Sequence, residues 1–91
     1  MQAPGPLDPL VNEAVADLAR RLSVDPARIE RLEAVAVVWP DTSLGCPREG
    51  MMYPQVTQDG ARIRLRVNGT EYRYHSGGRR RPFLCGPNGP A

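Results

Sequence analysis

The run Arg62-Ile63-Arg64-Leu65-Arg66-Val67-Asn68-Gly69-Thr70-Glu71-Tyr72-Arg73-Tyr74-His75 constrains the fold more than any other part of the chain. Apolar and polar residues alternate on both sides of Asn68-Gly69. A period of two marks strands, and Asn-Gly suits the two positive φ angles of a type I′ hairpin turn. With those two residues as the loop, Val67 faces Thr70, Leu65 faces Tyr72 and Ile63 faces Tyr74 on one side of the ribbon. Arg66 then faces Glu71, Arg64 faces Arg73 and Arg62 faces His75 on the other. A slip of one residue would turn three arginines into the core, so the pattern fixes the register. The expectation is that the apolar side packs on a helix and the arginine side meets water.

The N-terminal half supplies that helix. Leu7, Leu10, Val11, Ala14, Val15, Leu18 and Leu22 recur at three- and four-residue spacing, with Glu13, Asp17, Arg20 and Arg21 on the other side. An amphipathic helix is expected over about residues 9–22, started by Asp8 as N-cap and Pro9 at the first helical position. Asp25-Pro26 starts a short helical turn. Arg31 to Trp39 is rich in β-branched residues and apolar on both parities, which predicts a strand covered on both sides or central in its sheet. Further along, Tyr53–Thr57 reads as a short strand and Asp59-Gly60 as a turn. Ser76–Arg81 reads as a flexible basic loop and Phe83–Cys85 as a short terminal strand. The fold class is α+β: one N-terminal amphipathic helix on an antiparallel sheet of about four strands, a single domain over residues 7–85. Residues 1–6 and 86–91 are expected to be disordered tails.

A chain of 91 residues buries only about 60–65% of its unfolded surface, so a cross-link matters. Cys46 and Cys85 are its two cysteines. In an exported domain such a pair reads as a disulfide, and in a cytosolic one as two buried thiols. Closing so long a loop would add about 4 kcal/mol. Twelve arginines and no lysine are set against ten acidic residues, leaving a net charge of +2. That balance argues against a dedicated nucleic-acid binder, even though residues 62–81 hold seven arginines. No apolar run is long enough to span a membrane. Gln2–Pro6 reads as the beginning of a mature exported chain, with Met1 an expression start and a natural export segment missing.

Between the two halves lies Trp39-Pro40-Asp41-Thr42-Ser43-Leu44-Gly45-Cys46-Pro47-Arg48-Glu49-Gly50-Met51-Met52-Tyr53, a connection with neither helical nor strand periodicity. Loops this long in a compact domain tend to be functional. Prolines and a bridge at Cys46 would limit its conformations and lower the entropy lost on binding. Trp39, Asp41, Ser43, Leu44, Met51 and Tyr53 are therefore the candidate contacts to a protein or peptide partner. Leu44 would be the specificity anchor in a peptidase-inhibitor version. The competing reading is a structural loop that closes one end of the core.

Catalysis has little to work with. His75 is the one histidine, no Gly-x-Ser-x-Gly elbow is present, and no phosphate-cradling glycine motif occurs. Asp41, Glu49 and Asp59 are expected in loops, where turn formation accounts for Asp41. The chain is expected to be no enzyme and to carry no cofactor. The rival class is a soft-metal site for copper or zinc, or a redox site, using Cys46, Met51, His75 and Cys85. Their spacing matches no compact ligand motif.

The residues Trp39-Pro40-Asp41-x-Ser43-Leu44-Gly45-Cys46-Pro47-x-x-Gly50-Met51-x-Tyr53-x-Gln55-Val56, then Gly60, Tyr72-x-Tyr74-His75 and Phe83-Leu84-Cys85, carry a resemblance over about residues 30–85. The chain resembles a family of small bacterial exported or lipoprotein-associated domains, most of them uncharacterised. The departure is Arg48-Glu49, where that pattern has a proline before Gly50. The resemblance implies an exported location and a bridge between Cys46 and Cys85, and it brings no activity with it.

Overall fold

The computed structural model describes residues 5–91; of the tail expected to be disordered over residues 1–6, residues 1–4 lie outside them, whereas Gly5 is held by hydrogen bonds to Asp8. One helix, α1 (Asp8–Leu22), is followed by a 3-10 turn (Pro26–Arg28) and then by five strands. The strands are β1 (Glu30–Trp39), β2 (Gln58–Val67), β3 (Thr70–Gly77), β4 (Arg80–Gly86) and β5 (Gly89–Pro90). They form one antiparallel sheet in the order β1-β2-β3-β4-β5. The expected α+β architecture holds, with a fifth, two-residue strand added.

The β2–β3 hairpin has the register that the alternation dictated, from Val67 opposite Thr70 to Arg62 opposite His75. Asn68 and Gly69 take φ of 49° and 81° at its turn. Its apolar side meets α1. Val11, Ala14 and Leu18 of the helix pack with Ile63, Leu65, Val67 and Tyr74 into one buried cluster, which Leu10, Val15, Leu22, Ile29 and Leu84 surround. The Tyr74 hydroxyl donates to the Asp17 carboxylate at 2.6 Å, so the one polar tip in this layer is satisfied.

Helix α1 begins one residue earlier than expected, and Asp8 is not its cap. Leu7 holds the cap position without a side-chain bond. The Asp8 carboxylate instead accepts from the Gly5 N–H at 2.8 Å and from Arg31 at 2.9 Å, tying the helix start to β1. At the other end Ser23 turns left-handed, with φ of 55°. The 3-10 turn is capped as expected, Asp25 accepting from the Ala27 N–H.

Several expectations fail along the sheet, each for a visible reason. Of the two readings of β1, central in the sheet fails, since it is an edge strand, whereas cover on both sides holds in part. Its two apolar parities serve different covers: Ala34 borders the helix cluster, whereas Trp39 is buried on the opposite face. The sequence Tyr53–Thr57 forms no strand. Asp59-Gly60 is not a turn but part of β2, where Gly60 lies opposite Val37 and Gly77. Ser76 and Gly77 belong to β3, and a two-residue turn at Gly78-Arg79 replaces the flexible basic loop. The final residues, expected to fray from Gly86, turn at Pro87-Asn88 into β5, and the Ala91 N–H donates to Leu84 O at 2.9 Å.

Candidate functional site

The arginine side of the sheet does not simply meet water. Its β2 half does: Arg62 and Arg64 reach Glu33, Arg64 also grips Glu71, and Arg66 pairs with Glu30. These pairs are half-exposed and are worth little individually. The other half, from Trp39 to Cys85, is roofed by the root of the long connection.

Trp39 anchors that roof. It ends β1 and lies on His75, with ring centroids 4.7 Å apart and planes inclined by 28°. Its Nε1–H donates to Ser76 O at 2.8 Å in a buried bond. Glycines make room for the indole. A Cβ on Gly60 would sit 2.0 Å from Ser76 O and 2.6 Å from Trp39 Nε1, and one on Gly45 would sit 2.4 Å from the indole ring. Backbone cannot yield at the first position, so Gly60 is required by close approach rather than by a turn.

His75 holds the loop from below. Its Nδ1 lies 2.7 Å from Leu44 O. A carbonyl accepts, so Nδ1 carries the proton and a neutral ring leaves Nε2 as a bare acceptor. Nε2 is buried and has no partner among the described residues. Burial pushes the imidazole below its ordinary value of 6.5, and the nearby Arg73 and Arg62 act in the same sense against the bond to Leu44. Phe83 meets the ring edge-on at 6.3 Å, and the Arg80 guanidinium sits 3.8 Å over Phe83.

Leu44 closes the assembly. It is 4% exposed and has a φ of 55°. A left-handed leucine costs about 1–2 kcal/mol, and the surrounding contacts hold it there: its carbonyl is on His75 and its side chain lies beside Gly77. Asp41 organises the approach, accepting from both the N–H and the hydroxyl of Ser43. Those bonds keep its carboxyl below the ordinary 3.8. The Cys46 N–H donates to Ser43 O at 3.1 Å, and Cys46 is bonded through sulfur to Cys85 on β4, with Cα atoms 5.8 Å apart. A groove of about 650 Å³ opens beside this bridge, bordered by Pro47, Arg73, His75 and Cys85.

Beyond Cys46 the chain passes β5, where Arg48 lies against Gly89 and donates to Pro90 O at 3.3 Å, and then turns outward. Tyr53 Oη accepts from the Arg48 N–H at 2.9 Å, the Met51 N–H donates to Arg48 O, and the Thr42 N–H donates to Pro54 O at 3.1 Å, so the two limbs stay together. At the outer end Met51 is 59% and Met52 94% exposed, and Val56 is 55% exposed on the return limb.

The candidate contacts are thus divided. Trp39, Ser43 and Leu44 are buried root, Asp41 and Tyr53 are half-buried braces, and Met51 is open. Leu44 presents no side chain to a partner. Val56 was not singled out by sequence reasoning, and Met52 was seen in the loop but left out of the candidate contacts; flanking prolines and glycines mark a loop but not which apolar residues in it point outward. Of the four residues in the soft-metal alternative, Cys46 and Cys85 bind each other, so neither offers a thiolate. No group of three or more His, Cys, Asp or Glu side chains among the described residues is arranged to hold a metal ion. Sequence reasoning also missed that His75 is buried, because a polar residue on an arginine face signals exposure.

No curated protein and no solved structure matches the chain. Residues 11–85 match one protein family, a span that takes in the helix from Val11 onward, the roofed face and both cysteines. The chain therefore belongs to the family described as domain of unknown function (DUF8738).

Proposed function

We propose that this domain is a non-enzymatic, extracytoplasmic binding module that presents its long connection to a protein or peptide partner. The observation that carries the reading is the contrast within residues 39–57. The root is buried, bridged and hydrogen-bonded, while Met51, Met52 and Val56 stand open at the outer end. A pinned root lowers the entropy lost when the tip is engaged. Exposed thioethers adapt to varied apolar partners. The disulfide supports an oxidising compartment, and no helix among the described residues is long and apolar enough to cross a membrane. In a peptidase-inhibitor version the offered residues are Met51-Met52, since Leu44 lies in the root.

A photoreactive residue at position 52, compared with one at Arg20 on the outer side of α1, tests this in cells making the protein. We expect a discrete adduct from position 52 alone, suppressed by excess unlabelled protein and not by excess Met51→Ser/Met52→Ser protein. The absence of a competable adduct, or equal competition by the variant, would refute the reading.

A further inference from the structure

Strand β1 is the sheet's long edge, and beyond the bulge near its start Glu33 is its one charged residue. Ten residues run from Glu30 to Trp39 with β2 on one side only. Among the described residues, alternate N–H and C=O groups along the other side have no strand partner, a template for another extended chain. No lysine, proline or glycine interrupts it. Its charges are already engaged within the molecule, Glu30 with Arg66, Arg31 with Asp8, and Glu33 with Arg62 and Arg64. Helix α1 packs mainly over β4 and β2, leaving Ala36 exposed and Val38 65% exposed.

We propose that β1 pairs antiparallel with β1 of a second copy, about a two-fold axis through Ala36. Two features set that register. A bulge between Arg31 and Glu33 breaks the regular strand at one end, and Pro40, with no N–H to give, stops it at the other. The uninterrupted segment is Glu33–Trp39, and its midpoint is Ala36. Pairing it with itself sets Ala36 against Ala36, Val35 against Val37 and Ala34 against Val38. Each side chain stays on its own face, as an isologous two-fold through a continuous sheet requires. On the helix side, a groove of about 400 Å³ is lined by Pro6, Leu7, Ala34 and Ala36. In this register the second copy's Val38 lies opposite Ala34, at that groove. The smallest side chain sits at the axis, where two copies come closest. The resulting ten-stranded sheet carries both roofing loops on the same face, so the assembly would present two copies of the Met51-Met52 tip to one partner surface.

Light scattering coupled to size-exclusion chromatography, over a concentration series of the intact protein, reads this directly. The expected mass rises from 10.0 kDa to twice that value. Ala36→Asp places two carboxylates face to face across the axis. It should weaken dimerisation by about tenfold or more while leaving circular dichroism unchanged, because the position is exposed in the single copy. Ala36→Cys should form an interchain disulfide under mild oxidation, and Val56→Cys should not. A single-copy mass at every concentration, or a dimer indifferent to Ala36→Asp, would overturn the proposal; the first result would leave the edge to an extended segment of another protein.

Discussion

The two faces of this sheet are stabilised in different ways. Under α1, seven buried residues from the helix and the central hairpin make an apolar layer with one satisfied polar tip. Such a layer depends on volume and pattern and tolerates exchange among apolar residues of similar size. On the opposite face the buried groups are a tryptophan, a histidine, a left-handed leucine and a disulfide, fitted around glycines. Little there is interchangeable. Close approach at Gly60, one buried indole bond and one imidazole bond each hold a specific partner. The lesson is that a small domain can fix a long loop without giving it secondary structure, provided a few specific contacts and a cross-link replace the ladder.

Truncation on each face should break the comparison most strongly. Trp39→Ala should cost about 3–5 kcal/mol in urea-induced unfolding, and Leu18→Ala about 2–5 kcal/mol. The distinction lies in where the loss appears. Leu18→Ala should lower amide protection across the whole sheet, whereas Trp39→Ala should release residues 42–46 while β2 and β3 keep theirs. Equal patterns in hydrogen exchange would mean the faces are not separate.

Removing the bridge should come next. Cys46→Ser/Cys85→Ser should cost about 4 kcal/mol by the chain-entropy argument, within a usual range of about 2–5. The sequence separation is 39 residues. Exchange at the Cys46-equivalent amide should rise first. An unchanged unfolding midpoint would show that the non-covalent contacts of Trp39 and His75 suffice alone.

The smallest effect sharpens the comparison through pH. His75 has its folded-state value pushed below the ordinary 6.5. Below pH 6.5 the unfolded chain therefore binds a proton that the folded one resists. Stability contributed by neutral His75 is present above that pH and is lost as pH falls toward the depressed folded value. Acid loss from Asp8, Asp41 and Glu71 belongs to a lower window, since all three are held below ordinary carboxyl values of 3.8, 3.8 and 4.5. Denaturation midpoints measured from pH 8 to pH 5 should decline for the native protein and stay flatter for His75→Phe. A slope unaffected by that substitution would remove His75 from the account.

How much was legible in the sequence follows the same division. The helix, the hairpin register and the side of the sheet that α1 covers could be read because period 3.6 and period 2 each place a residue on a face. Asp8, Asp59-Gly60 and Ser76-Gly77 were misread because their local chemistry fits caps and turns, and only distant contacts decide otherwise. Gly60 is a glycine because the Ser76 carbonyl, 16 positions away in the numbering, and the Trp39 indole, 21 away, come to rest against it. The long connection was recognised as the distinctive segment, yet its buried and exposed residues could not be sorted, since no periodicity assigns a direction in a loop. Apolar residues on both parities of β1 suggested a strand covered on both sides or central; the pattern serves an edge with two different covers, because it reports cover and not position in the sheet.

The central claim is that the connection's root is fixed to the sheet through Trp39. The chain has one tryptophan, so its indole N–H gives a single, unambiguous proton resonance, and its exchange with deuterated solvent is the most direct measurement. Protection comparable to the β2–β3 amides, lost on Leu44→Gly and on breaking the disulfide, is what the buried bond to Ser76 predicts. Exchange as fast as that of a free indole would show the root unpinned and contradict the account.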